Sequence, residues 1–126
     1  MEKHRRSLEN IRILIVDDKA DFRLLTAQFL TRHGAHVYAA KNALEGLRLV
    51  REIHPDLVLS DINMPGRNGL QLLADIRNLG SDRGNIPVIA MTAYALDQAV
   101  VKAGFESVLR KPFIPDQLLA TIDLVL

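Results

Sequence analysis

An α/β fold, a doubly wound sheet of five parallel strands, is what the sequence predicts, and three observations predict it. Short apolar, β-branched runs alternate with segments of helical period along the whole chain. The connections between successive runs are too long for hairpins, so the strands run parallel through helical crossovers that cover both faces of the sheet. The carboxyl ends of the runs carry Asp17-Asp18, Asp61, Thr92 and Lys111, where an open parallel sheet places its ligands. Periodicity alone leaves two common strand orders open.

The first strand is read over residues 11–16, β-branched and ending in Asp17-Asp18. A helix follows, with Phe22, Leu25 and Phe29 at i, i+3 and i+7 and a stop at Gly34 after His33. Residues 36–40 form a second strand. Asn42 with Glu45 three positions on reads as a capping box, and Ala43, Leu47 and Val50 give the face of a helix that ends before Pro55. Leu57-Val58-Leu59 leads to Ser60-Asp61, residues 64–69 form a loop, and Leu72, Ile76 and Leu79 mark a third helix. Residues 87–91 make the fourth strand, 96–103 a short helix and 107–109 the fifth strand; Leu118, Ile122 and Val125 line the last helix. The expected division is an N-terminal tail, 1–10, and one domain, 11–126.

Composition narrows the function. The 126 residues hold 16 Lys and Arg against 15 Asp and Glu, a balance that asks for no nucleic-acid partner. Cysteine is absent, which excludes thiol catalysis, disulfides and cysteine-based zinc sites. No signal-peptide pattern opens the chain, and the longest apolar runs fall far short of the roughly 20 residues that span a bilayer. The expectation is a cytoplasmic protein without membrane contact, monomeric in preference to oligomeric.

Alone, an Asp-Asp pair is a helix cap, Thr92 a strand end, Lys111 a solvated cation and Asp61 a turn residue. Their joint position at four strand ends reads differently. Carboxylates held so close raise one another's pKa unless a hard dication such as Mg²⁺ or Mn²⁺ bridges them through oxygen. That set suits phosphoryl transfer, where a protein supplies in-line positioning and charge neutralisation. Asp61 is the expected nucleophile. Asp18 and Asp61 are the direct metal ligands, and Asp17 acts through water. Lys111, the Thr92 hydroxyl and the Ala93 amide take the remaining phosphoryl oxygens.

With these residues in view the chain resembles the receiver domains of two-component response regulators over residues 12–126. Ile13-Leu14-Ile15-Val16-Asp17-Asp18 resembles the family's acidic pair, and the stretch from Asp61-Ile62-Asn63-Met64-Pro65 to Asn68-Gly69 resembles its phosphoacceptor loop. Met91-Thr92-Ala93 and Lys111-Pro112-Phe113 complete the set. The resemblance implies a flavodoxin-like (β/α)5 fold of strand order 2-1-3-4-5. It also implies phosphorylation of Asp61 by a histidine kinase or a histidine phosphotransfer protein. Mg²⁺ would be bound by Asp18, Asp61 and the backbone carbonyl of Asn63, and a cis peptide is implied before Pro112. Asn63 and Tyr94 fall where the family modulates hydrolysis of the acyl phosphate. Such a domain promotes its own phosphorylation and dephosphorylation without being an enzyme in the ordinary sense.

Two departures stand out. The family's aromatic switch position, three residues before Lys111, is Val108 here, and Thr92 and Gly104 stand closer than in the family by nearly one helical turn of about 3.6 residues. Both fall on the face that most relatives use for output, so intact chemistry with altered output is expected. The strongest competitor is an aspartate-nucleophile phosphatase of the haloacid dehalogenase type. That family needs a second acid where Asn63 stands, and no cap-domain segment is present. An inactive pseudo-receiver is the other alternative. The segment 86–94 is similar to receivers of hybrid sensor kinases, and the chain stops where the last helix should end, which favours that setting over a free-standing regulator.

Overall fold

The computed structural model describes residues 7–80, 82–93, 100 and 102–126. Its elements are β1 (Arg12–Val16), α1 (Ala20–Arg32), β2 (His36–Ala40), α2 (Ala43–Ile53), β3 (Leu57–Asp61), α3 (Gly69–Arg77), a 3-10 turn (Arg83–Asn85), β4 (Val88–Thr92), β5 (Ser107–Arg110) and α4 (Pro115–Val125). The strands are all parallel, in the order β2-β1-β3-β4-β5. Register sets Val16 beside Ala40 and Ser60, Asp61 beside Met91, and Thr92 beside Arg110. The carboxyl ends of the strands therefore share one rim.

The period-two alternation of a strand explains the two cores. Ile13, Ile15, Leu57, Leu59, Ile89 and Met91 belong to one layer with Leu30 of α1 and Leu118 and Ile122 of α4. Leu14, Val16, Val58 and Val88 belong to the other, with Val50 of α2 and Leu72 and Ile76 of α3. Burial of each such side chain is worth about 1.5–3 kcal/mol over leaving it exposed. Apolar layers on both faces are why the strands read as continuous hydrophobic runs.

Local chemistry sets the helix ends. Gly34, at φ +100°, lets its N–H donate to the Thr31 carbonyl at 2.9 Å and close α1. Asn42 caps α2 by accepting the Glu45 N–H at 2.8 Å. Glu45 reaches back one residue further than expected, to the Lys41 N–H at 2.9 Å. A full capping box forms instead at α3, between Asn68 and Gln71.

Several expected boundaries shift. β1 starts at Arg12 because the Ile11 N–H is taken by the Leu8 carbonyl at 3.0 Å, and β4 runs one residue later, through Thr92. Gly69, expected in the loop, is the first residue of α3. The expected tail is laid on the body over its described part, since Leu8 is fully buried in the first core. Leu25, expected on the inner stripe of α1, is 65 % exposed. The stripe is centred between Phe22, Thr26 and Leu30, which leaves Leu25 on its flank. Of the expected helix 96–103, only Val100, Lys102 and Ala103 are described, the first two in helical conformation. Tyr94 and the length of that helix lie outside the described residues.

Candidate functional site

β1 and β3 deliver the acidic residues to the rim, β4 delivers Thr92, and the loop after β5 delivers Lys111. The Lys111 N–H donates to the Thr92 carbonyl at 2.7 Å, fixing the end of β5 against that of β4. Potential ligand oxygens of Asp17, Asp18 and Asp61 all lie within 4.8 Å of one another.

The three carboxylates differ in their surroundings. Asp17 is fully buried and paired at both oxygens: its Oδ1 accepts the Lys19 N–H at 2.9 Å and its Oδ2 accepts from Lys111 Nζ at 2.7 Å. The Asp17 carbonyl accepts from Arg23 Nη1, also at 2.7 Å. Asp18 stands opposite in character. Its Oδ1 is buried without a hydrogen-bond partner, and Lys19 Nζ is 3.9 Å from its other oxygen. Asp61 lies 3.8 Å from Lys111 Nζ. Burial pushes the Asp61 carboxyl above the usual carboxylate range; Lys111 opposes that shift, and Asp17 and Asp18 add to it.

The Asp61 backbone is held from two sides. Ser60 Oγ donates to its carbonyl at 2.9 Å, and the first turn of α3 closes over that same carbonyl. A Cβ on Gly69 would stand 2.4 Å from the Asp61 carbonyl oxygen, so only glycine permits this approach. Arg67, in the loop after β3, makes a two-pronged pair with Asp75 at 3.0 Å on each prong.

Lys111 has a third neighbour. Its Nζ stands 4.1 Å from the ring centroid of Phe22, and Phe22 meets Phe113 edge-on, centroids 5.8 Å apart at 89°. The Lys111-Pro112 peptide is cis. Asn63 and Ala93 are exposed at the rim, and Thr92 is buried. Val108 is half-buried against the small cluster of Ile62, Ala90 and Val100.

Thus Asp17, Asp18, Asp61, Thr92 and Lys111 come together at one rim, as their strand-end positions require. Sequence reasoning missed Phe22 and Arg23 as neighbours of the site. A signal existed: α1 starts immediately after Asp17-Asp18, so its first turn must pass beside the rim.

The donor set fits a hard divalent cation. It consists of carboxylate oxygens, with no His and no sulfur, and one buried oxygen is left without a partner. Among the described residues no helix is long and apolar enough to cross a membrane.

Known proteins match this chain in sequence and in fold. The model of the response regulator receiver domain matches residues 13–123. Sporulation initiation phosphotransferase F of Bacillus subtilis is 37 % identical, over 86 % of this chain and 88 % of its own length. Sensor histidine kinase RcsC of Escherichia coli is 36 % identical over 92 % of this chain, which spans 12 % of that kinase. Among solved structures, chemotaxis protein CheY4 of Vibrio cholerae superposes with a TM-score of 0.86 at 28 % identity, covering 92 % of this chain and 98 % of that one.

Proposed function

Because this chain belongs to the response regulator receiver domains, we propose that Asp61 is the residue that takes the phosphoryl group. The observation that carries the assignment is the convergence of Asp61 with Asp17, Asp18 and Lys111 at the shared rim. The donor is a phosphohistidine on a histidine kinase or a histidine phosphotransfer protein. A carboxylate oxygen of Asp61 attacks phosphorus as the phosphorus–nitrogen bond breaks, and the imidazole leaves with the bonding electron pair. The product is an acyl phosphate on Asp61.

Asp18, Asp61 and the Asn63 carbonyl would hold Mg²⁺ or Mn²⁺ directly, and Asp17, whose two oxygens each accept one hydrogen bond, through water. Bound there, the cation offsets the negative charge that gathers on the phosphoryl oxygens. Lys111 stands between Asp17 and Asp61 and takes a second phosphoryl oxygen; the Thr92 hydroxyl and Ala93 amide take the third. Asn63 and Tyr94 set the rate at which water reaches the acyl phosphate. Val108 occupies the switch position without an aromatic ring, and the signal leaves through a surface altered accordingly. The functional unit is residues 11–126, with Leu8 of the preceding segment packed into its core.

Intact-mass spectrometry after incubation with Mg²⁺ and acetyl phosphate tests the assignment. The expected result is one phosphoryl adduct, absent with chelator and absent in Asp61→Asn. No adduct in any condition would make the chain a pseudo-receiver, and steady turnover of a phosphomonoester would make it a phosphatase.

A further inference from the structure

An ammonium group has three N–H donors set at tetrahedral angles. In Lys111 one donor goes to Asp17 Oδ2 at 2.7 Å and a second side faces Asp61 Oδ1 at 3.8 Å. The Phe22 ring is the third neighbour, its centroid 4.1 Å from Nζ. Lysine is a compact charge on a flexible four-carbon stem, and nothing in the stem keeps that charge in one place. Here its side chain is only 18 % exposed, so the attraction between cation and ring face acts largely out of water, where it is strongest.

The ring has a neighbour of its own. Phe113 belongs to the same loop as Lys111 and braces Phe22 edge-on at 89°. The first turn of α1 and the loop after β5 therefore lock each other: Phe113 holds the ring, and the ring holds the ammonium.

We propose that Phe22 is a positioning residue for Lys111, its ring face holding the ammonium within reach of a phosphoryl group on Asp61. The role rests on the phosphoacceptor reading of Asp61. As the group arrives, the ammonium turns its second donor from the carboxylate to a phosphoryl oxygen. It need not release Asp17 or leave the ring to do so. An aliphatic residue would fill the same space without the negative ring face, and would leave the third donor to water.

Site-specific replacement of Phe22 by mono-, di- and trifluorinated phenylalanine separates charge from shape, because fluorine withdraws charge from the ring face with little change in size. The rate of Asp61 phosphorylation by acetyl phosphate at saturating Mg²⁺ is expected to fall stepwise, by about fivefold at trifluorophenylalanine. The Lys111 Nζ resonance should move in the same order. The same series at Phe29, whose ring pairs with His33 instead, should be flat. Phe22→Leu should match the slow end and Phe22→Tyr should retain most of the rate. Equal rates across the Phe22 series, in a protein that still forms the adduct, would overturn the positioning role alone. No adduct in the unsubstituted protein would sink the phosphoacceptor reading and this role with it.

Discussion

The two ends of the sheet handle charge in opposite ways. At the amino end, cationic side chains terminate backbone. Arg12 Nη1 donates to the Ile53 carbonyl at 2.9 Å, and Arg83 Nε donates to the Arg51 carbonyl at 3.2 Å while its Nη2 contacts His54. Arg77 Nη1 reaches the carbonyls of Gly84 at 3.1 Å and Ile86 at 2.7 Å. Each arginine closes a helix end or a turn that would otherwise leave carbonyls unpaired. At the carboxyl end, three carboxylates face one another with Lys111 between Asp17 and Asp61, and one Asp18 oxygen has no partner. Both ends hang from the same strands and the same two apolar layers. The difference teaches that the second arrangement is not a requirement of the fold: the sheet can satisfy its ends, and at the acidic rim it leaves an Asp18 oxygen unpaired.

The largest test of that contrast is Asp18→Asn. Loss of a direct ligand should weaken Mg²⁺ binding by about a hundredfold, the upper end of what losing an outer-shell partner costs. Calorimetric titration suits the measurement, since the chain has no tryptophan to report by fluorescence. Stability in chelator should stay level or rise, because the substitution removes one of three clustered charges. A clear loss of stability with Mg²⁺ affinity unchanged would show that Asp18 is part of the scaffold, and the contrast between the two ends would collapse.

Next in size is the converse at the amino end. Arg77→Ala leaves the Gly84 and Ile86 carbonyls without their charged donor, and should cost about 2 kcal/mol in urea unfolding. Phosphorylation per folded molecule should not change. A variant of full stability, or one whose Mg²⁺ affinity falls with its stability, would show that the ends are not separable.

How far the sequence revealed this contrast depends on the distance over which each feature acts. Asn42 was legible as a helix cap because cap and amide lie within three residues. The acidic rim was legible because strand ends must converge in a parallel sheet, whatever the side-chain detail. The cap at Asn68 is hidden although Gln71 stands in the right place, because Gly69 reads as a loop residue until its approach to the Asp61 carbonyl is seen. Leu8 reads as tail because the partner of its N–H, the His33 carbonyl, lies far along the chain. The preference of Lys111 for Asp17 over Asp61, and its contact with Phe22, are set by ångström-scale placement of a loop against α1. No pattern of residue types encodes that placement.

A smaller effect sharpens the comparison at the acidic end itself. Burial raises the Asp61 carboxyl above its ordinary value of 3.8, with Lys111 opposing and Asp17 and Asp18 reinforcing. The folded, metal-free protein therefore holds that proton more tightly than the unfolded chain does. The stabilisation this gives is complete below pH 3.8 and is lost as pH rises through the higher folded value. Asp61→Asn carries no such proton, so in chelator its stability relative to the parent should climb as pH rises across that window and then level off. The difference between the two proteins removes, to first order, the titration of every other carboxylate. Added Mg²⁺ should narrow the gap at neutral pH, because only the parent has the Asp61 carboxylate as a ligand. Denaturation of both proteins from mildly acid to neutral pH measures this directly. A gap that stays constant with pH, or that favours the parent in chelator, would mean that the acidic rim is satisfied without a cation and is no less settled than the opposite end.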